Sequence, residues 1–203
     1  MKTLITLIVL LFSSSIFAED ITGLQIEGIS IGDSLLDYYS ESEINDPERL
    51  KNSFNYNNKF LQLGFYENLS TYYKVSAIIK HDQNNYVTKK NGNRYLIYGL
   101  RGTLYFDYFE ECYEKKDQIV LELSSFFNSK NYEKYIYNDQ SHSYDIKSKV
   151  SKVEFLFDNG GVCVVSCTDW SLELENTMNF VDDLTVELKS PELIDFLNNE
   201  FYK

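Results

Sequence analysis

Val153-Glu154-Phe155-Leu156-Phe157-Asp158-Asn159-Gly160-Gly161-Val162-Cys163-Val164-Val165-Ser166-Cys167-Thr168 is the stretch that decides the fold class. Val153, Phe155 and Phe157 share one side of an extended chain, because successive side chains of a strand alternate between faces. Asp158-Asn159-Gly160-Gly161 reads as a hairpin turn, since Asn and Gly adopt the positive φ that tight hairpins require. Val162 to Thr168 then runs back beside the first strand. A connection this short makes the pair antiparallel, because parallel neighbours need a long crossover.

The same period of two recurs on either side. Leu61, Leu63 and Phe65 alternate along one face. Thr71, Tyr73, Val75, Ala77 and Ile79 form a longer alternation, with Lys74, Ser76 and Lys80 opposite, as expected of a half-buried antiparallel strand. Turns are expected at His81-Asp82-Gln83-Asn84-Asn85 and at Asn91-Gly92-Asn93. Leu96, Tyr98, Leu100, Leu104 and Phe106 are then expected on one face, with Gly99 and Gly102 marking a bend or a close backbone approach. Phe180, Leu184, Val186 and Leu188 predict a further strand.

Helical periodicity is clearest over Glu110 to Phe127. Phe109, Cys112, Ile119, Val120, Leu123, Phe126 and Phe127 make a core-facing stripe there, and Lys116 interrupts it. Asn128-Ser129-Lys130-Asn131 ends that helix. Asp33 or Ser34 can cap an earlier helix, Ser34 and Asp37 having capping-box spacing, and Asp46-Pro47 starts a second short piece. Ser190-Pro191 starts a closing helix with Leu193, Ile194, Leu197 and Phe201 on one side. The order helix–strands–helix–strands–helix predicts an α+β fold, an antiparallel β-sheet with helices packed on one face.

The N-terminus has its own logic. Met1-Lys2, an apolar run from Leu4 to Phe12 and the junction Ala18-Glu19 have the parts of a secretion signal, so residues 1–18 are expected to be removed. That run is too short to span a bilayer, and no Cys at the junction can accept a lipid. Residues 19–203 are then a single domain with no membrane span, located in the periplasm or secreted. Asp and Glu number 31 against 19 Lys and Arg, a formal charge of −12. A chain of that charge is repelled by phosphate backbones and anionic lipid, which argues against nucleic-acid binding.

Catalytic patterns are sparse. Ser141-His142-Ser143-Tyr144-Asp145 reads as one polar loop, not a triad, because triad members come from distant segments. Cys163 and Cys167 share a strand face about 13 Å apart, too far for one metal ion or for a disulfide between them. Asp158-Asn159-Gly160 lacks the later ligands of a calcium loop. No cofactor and no metal is therefore expected. Asp169, Glu173 and Glu175 cluster around Trp170, and a carboxylate pair beside an exposed Trp would suit glycoside hydrolysis. Abundant carboxylates also produce such clusters as solvated edges. Tyr72, Tyr86, Tyr95 and Tyr105 fall on the polar parity of their strands, where Tyr serves either an interface or simple strand propensity.

The segment Gly28-Ile29-Ser30-Ile31-Gly32-Asp33-Ser34 resembles the G-hydrophobic-x-hydrophobic-G-x-S opening of small bacterial envelope proteins with β-lactamase-inhibitor-like or outer-membrane-assembly-lipoprotein-like folds. Gly99 to Phe127 with Cys112, and later Cys167-Thr168-Asp169-Trp170, is similar to periplasmic proteins with one helix-to-sheet disulfide. The resemblance implies an envelope location and protein binding, with no catalytic residue to carry over. In an oxidising compartment three cysteines make one bridge and one thiol, and Cys112 must supply one end. The hairpin loop length leaves both Cys163 and Cys167 open as partner. Cys167 is expected, being nearer the strand end and in keeping with the resemblance. The expected function is a non-catalytic binding or structural envelope protein whose partner is another envelope protein; the alternative is an envelope hydrolase using a carboxylate pair near Trp170.

Overall fold

The computed structural model describes residues 21–80, 94–127 and 131–203. The expected leader, the turns at 81–85 and 91–93, and the helix end at 128–130 lie outside the described residues, as do His81 and Tyr86. A 3₁₀ turn, Ile21–Gly23, leads into a small hairpin of β1 (Gln25–Ile26) and β2 (Ile29–Ser30). Its two-residue turn has φ of 54° at Glu27 and 78° at Gly28, the geometry that matches the twist of paired strands. Ser34 caps only a three-residue 3₁₀ turn, Leu35–Asp37, where a helix is expected. The chain restarts at once, because Ser40 and Glu43 form a complete capping box on α1 (Glu41–Ile44). Asp46 then caps α2 (Pro47–Lys51), the short piece expected there.

The chain continues through β3 (Phe54–Tyr56), β4 (Phe60–Phe65), β5 (Lys74–Lys80), β6 (Ile97–Tyr105) and the long helix α3 (Phe109–Phe126). Then come β7 (Tyr132–Ser141), β8 (Lys149–Phe157), β9 (Val162–Asp169), α4 (Leu172–Met178), β10 (Asp183–Lys189) and α5 (Pro191–Phe196), which runs on into a π-helical turn, Leu197–Phe201. Eight strands form one antiparallel sheet in the order β3-β4-β5-β6-β10-β9-β8-β7. The α+β class is as expected. The element order departs from the expected one, since β1 and β2 precede the first helices and α4 interrupts the second run of strands.

Helices lie on both faces of the sheet, not on one. The inner face is covered by α3 and by residues 21–44, which share a core with Leu63, Phe65, Val75, Leu100, Phe155, Val165, Leu184 and Leu188. The outer face carries a second, smaller core in which Leu193, Phe196 and Leu197 pack on Phe60 and Ile78. Ile78 sits on the parity opposite Ile79, so β5 is apolar on both sides and needs a second cover. Gly99 makes room for it: a Cβ there would stand 2.7 Å from Leu193 Cδ2.

Period-two reasoning fails where the ladder slips. Ile79 pairs with Ile97 but Ile78 with Gly99, which leaves Tyr98 as the extra residue of a bulge. Ile97 and Leu100 therefore both face the inner core, while Tyr98 turns out to meet Phe60, ring centroids 5.4 Å apart. Thr71 and Tyr73 precede β5, so its alternation does not reach them. Tyr72 is buried against Gly102 and Tyr73 is exposed, the reverse of the expected parity. Tyr95 is partly buried against the core, and Tyr105 is exposed as expected. Phe180 lies before β10, outside the strand expected to contain it.

The Asn159-Gly160 hairpin has the longer of its two possible loops. Phe157 N–H donates to Gly161 O (2.9 Å), Phe155 pairs with Cys163 and Ser151 with Cys167. Both cysteines thus share the inner face with Phe155. Cys112, in the first turn of α3, is disulfide-bonded to Cys167 with Cα atoms 6.0 Å apart, and Cys163 is a buried thiol. Burial pushes that thiol up to about 12.

Candidate functional site

One end of the sheet gathers its irregular connections. There β4 ends at Phe65, β5 begins at Lys74, β6 ends at Tyr105, β9 ends at Asp169 and β10 begins at Asp183. The segments 66–73, 142–148 and 170–182 all cluster at this end, opposite the one that α5 covers. The disulfide ties the first turn of α3 to β9 just beneath it. A rigid scaffold that presents several loops at one end is where binding groups are most often placed.

Two groups of aromatic side chains lie along this rim, joined through Asp183. Tyr66 meets Tyr73 edge-on at 6.2 Å and Tyr73 meets Tyr105 at 4.9 Å. Tyr105 pairs across the ladder with Asp183, whose Oδ2 accepts the Trp170 indole N–H at 3.2 Å. Trp170 packs on Phe180 (4.7 Å) and on His142 (4.6 Å), and Tyr144 stacks on Phe180. Glu27 holds the 66–73 segment in place: its carboxylate accepts the N–H groups of Ser70, Thr71 and Tyr72 and the Ser70 hydroxyl. Partial burial pushes its carboxyl up, but these hydrogen bonds outweigh that and leave it below the usual range.

Beside Trp170 the rim is apolar and open. Helix α4 buries none of its residues. Leu172 is 74% exposed and Ile146, on the facing loop, 82%, with Tyr144, Met178 and Val181 also exposed. The Tyr144 hydroxyl lies 3.7 Å from Met178 Sδ, and Lys147 pairs with Glu173 at 2.7 Å, so loop and helix are fastened together. Asp169, Glu175 and Asp182 carry negative charge around the same patch. Burial and the neighbouring Asp169 and Glu175 raise the Asp182 carboxyl, although its Oδ1 accepts the Trp170 backbone N–H at 2.8 Å.

The carboxylates that touch Trp170 are not those the sequence points to. Glu173 faces Lys147, whereas Asp182 and Asp183 hold the Trp170 backbone and ring. Burial pushes Asp183 up to about 6, against the opposing pull of the Trp170 N–H and Arg101. On the same strand face Glu187 is buried too, but ion pairs with Arg101 and Lys189 outweigh its burial and hold it at about 2. One protonatable and one ionised carboxylate are the acid–base contrast of a glycosidase. Four residues of strand separate them by about 13 Å, however, against about 5–9.5 Å for either glycosidase geometry. Two adjacent acids, Asp182 and Asp183, at the point where the apolar alternation Leu184, Val186, Leu188 begins are the sequence signal that could have marked them.

His142 lies in the 142–148 loop, as the sequence suggests. Its Nδ1 accepts the Tyr144 N–H at 3.1 Å, and burial against Trp170 lowers its pKa, so the ring packs as a neutral aromatic. Among the described residues no three His, Cys, Asp or Glu side chains converge to hold a metal ion, and no helix is long and apolar enough to cross a membrane. A void of about 10 Å³ lies under α3 between Ile26, Tyr72, Ile119 and Cys163, about the room one water needs. Comparison with family models, curated proteins and solved structures finds no match for this chain.

Proposed function

We propose that this chain is an exported, non-catalytic binding protein of the bacterial envelope, periplasmic or released, that holds another envelope protein against the aromatic rim. The observation that carries the reading is the open patch beside Trp170: α4 buries no residue, yet with the 142–148 loop it presents Ile146, Leu172, Tyr144 and Met178 to solvent. Contiguous exposed apolar surface with a polar border is the mark of an interaction site, and Tyr is favoured there. Asp169, Glu175 and Asp182 at the border favour a partner segment that is apolar with cationic flanks. The wide spacing of Asp183 and Glu187 weighs against the hydrolase alternative. Export rests on the N-terminal residues, and the exported product is expected to begin at Glu19; an exported product that retains Met1 would remove that part of the reading.

The test is site-specific photocrosslinking in the native cell. A photoreactive residue in place of Leu172, Met178 or Tyr73 should give an adduct of one defined mass. The same residue in place of Leu121, exposed on the outer side of α3, should give none. Absence of adducts at all three rim positions, or equal adducts at Leu121, sinks the proposal.

A further inference from the structure

The two edges of the eight-stranded sheet are unequal. One is β3, only three residues long; the other is β7, ten residues with no proline. Asp158 N–H donates to Asn131 O (3.1 Å) and His142 N–H to Ser148 O (2.9 Å), and these bonds fix the parity of the ladder. Asn131, Glu133, Tyr135 and Tyr137 direct their peptide groups to β8. Tyr132, Lys134 and Ile136 direct theirs outward, and no described strand pairs with that side. The far half of β7 is blunted. The register shifts between Tyr137 and Gln140, Asp139 has φ of 45°, and its N–H bonds the Ser151 hydroxyl. Natural sheets guard their edges with such bulges, yet the stretch Tyr132–Tyr137 has none.

We propose that this open stretch is a self-association seam, on which a second copy of the chain adds its own β7 antiparallel across a two-fold axis at Tyr135. The occupant follows from the side chains. A two-fold pairing must set outward residues against outward residues, which allows few registers. Centred on Lys134 it would oppose Lys134 to itself, and centred on Glu133 it would oppose two carboxylates about 4.5 Å apart at the Cα atoms. Centred on Ile136 it would run Lys134 and Glu133 into the bulge at residues 138–139. Centred on Tyr135, the pairs from Glu133 to Tyr137 stay within the regular stretch and oppose no like charges. Tyr135 then meets Tyr135 of the second copy, Lys134 meets Ile136, and Glu133 meets Tyr137. Ile136, 62% exposed on the monomer, is covered by the stem of the opposing Lys134. The seam is independent of the Trp170 patch and stands whether or not that patch binds a partner.

The pairing fixes its own test. Tyr135 would occupy a non-hydrogen-bonded pair, whose Cα separation of about 4.5 Å lies within the range of a disulfide. The variant Y135C under mild oxidant should give a covalent dimer at least tenfold faster than K134C or I136C. Sedimentation should show a dimer of the unmodified protein whose association strengthens with salt, because two chains of charge −12 repel. I136P removes an N–H that makes no bond to β8, and Y135E sets two carboxylates together; each should raise the dissociation constant at least tenfold, while L121E leaves it unchanged. Should I136P fail to fold, the cysteine series still reads the register. A monomer at every concentration up to the solubility limit, fastest crosslinking at Lys134 or Ile136, or a dimer indifferent to Y135E each overturns the seam.

Discussion

Replacing Cys112 and Cys167 together by Ala opens a loop closed over 55 residues of sequence separation. In the chain-entropy treatment a loop of that length removes about 14 cal/mol/K from the unfolded ensemble, which is about 4 kcal/mol at 25 °C. A domain of this size has about 5–15 kcal/mol of net stability, so the loss is a large share of it. Because each kcal/mol moves the midpoint of a domain of this size by about 2–4 °C, the double variant should melt about 8–16 °C lower. Both sulfurs are fully buried, and the bridge is the covalent link between α3 and the rim end of β9. Urea titrations of oxidised wild type and double variant, at equal slope, give the difference directly. A loss under about 1 kcal/mol, or a fully effective bridge from Cys112 to Cys163 in non-reducing peptide maps, would refute the reasoning.

The Cys163 thiol, buried and raised to about 12, should resist a thiol reagent at pH 8 in the folded protein and react at one equivalent per chain in denaturant; rapid labelling of the native protein contradicts it. Asp183 has a folded pKa near 6, above that of a free carboxyl, so folding favours its neutral form. Its contribution is intact below about pH 4 and is lost as pH rises through 6, by at most about 3 kcal/mol. Asp183→Asn should therefore match wild type at pH 4 and exceed its stability at pH 8, and chemical denaturation at the two pH values decides it; a variant weaker at pH 8 counts against the assignment. At Gly102 a Cβ would stand 2.6 Å from the Tyr72 ring, so Gly102→Ala should cost about 1–3 kcal/mol in the same assay, and a neutral result would mean that the ring moves aside freely.

Much of the scaffold was legible because local chemistry fixes it. The hairpin at Asp158–Gly161, the stripe of α3 and the Ser190-Pro191 start of α5 each depend on residues within a few positions of one another. Cys163 and Cys167 were excluded as mutual partners by strand rise alone. The pairing itself waited on the hairpin register, because one residue of loop length turns a whole strand over. Strand β7 carried no signal, since an edge with one solvated side and no apolar alternation resembles a polar loop. Tyr72 and Tyr73 exchanged roles because the alternation begins only at Lys74, and Tyr98 turned outward because a bulge broke the count.

The rim was the least legible part. Tyr66, Tyr105, Tyr144 and Trp170 are far apart in sequence and share one rim only because strand ends align there. Burial raises the carboxyl of Asp183, whereas ion pairs outweigh it at Glu187, and burial is a property of what packs over a residue. The sequence by itself determined the central strands and the long helix, which follow from backbone periodicity and turn chemistry, and it carries none of the familiar nucleophile motifs. Only the tertiary structure decided which faces are covered, which cysteine is bridged and which aromatics stand together, because those depend on ladder register and on helices arriving from distant parts of the chain.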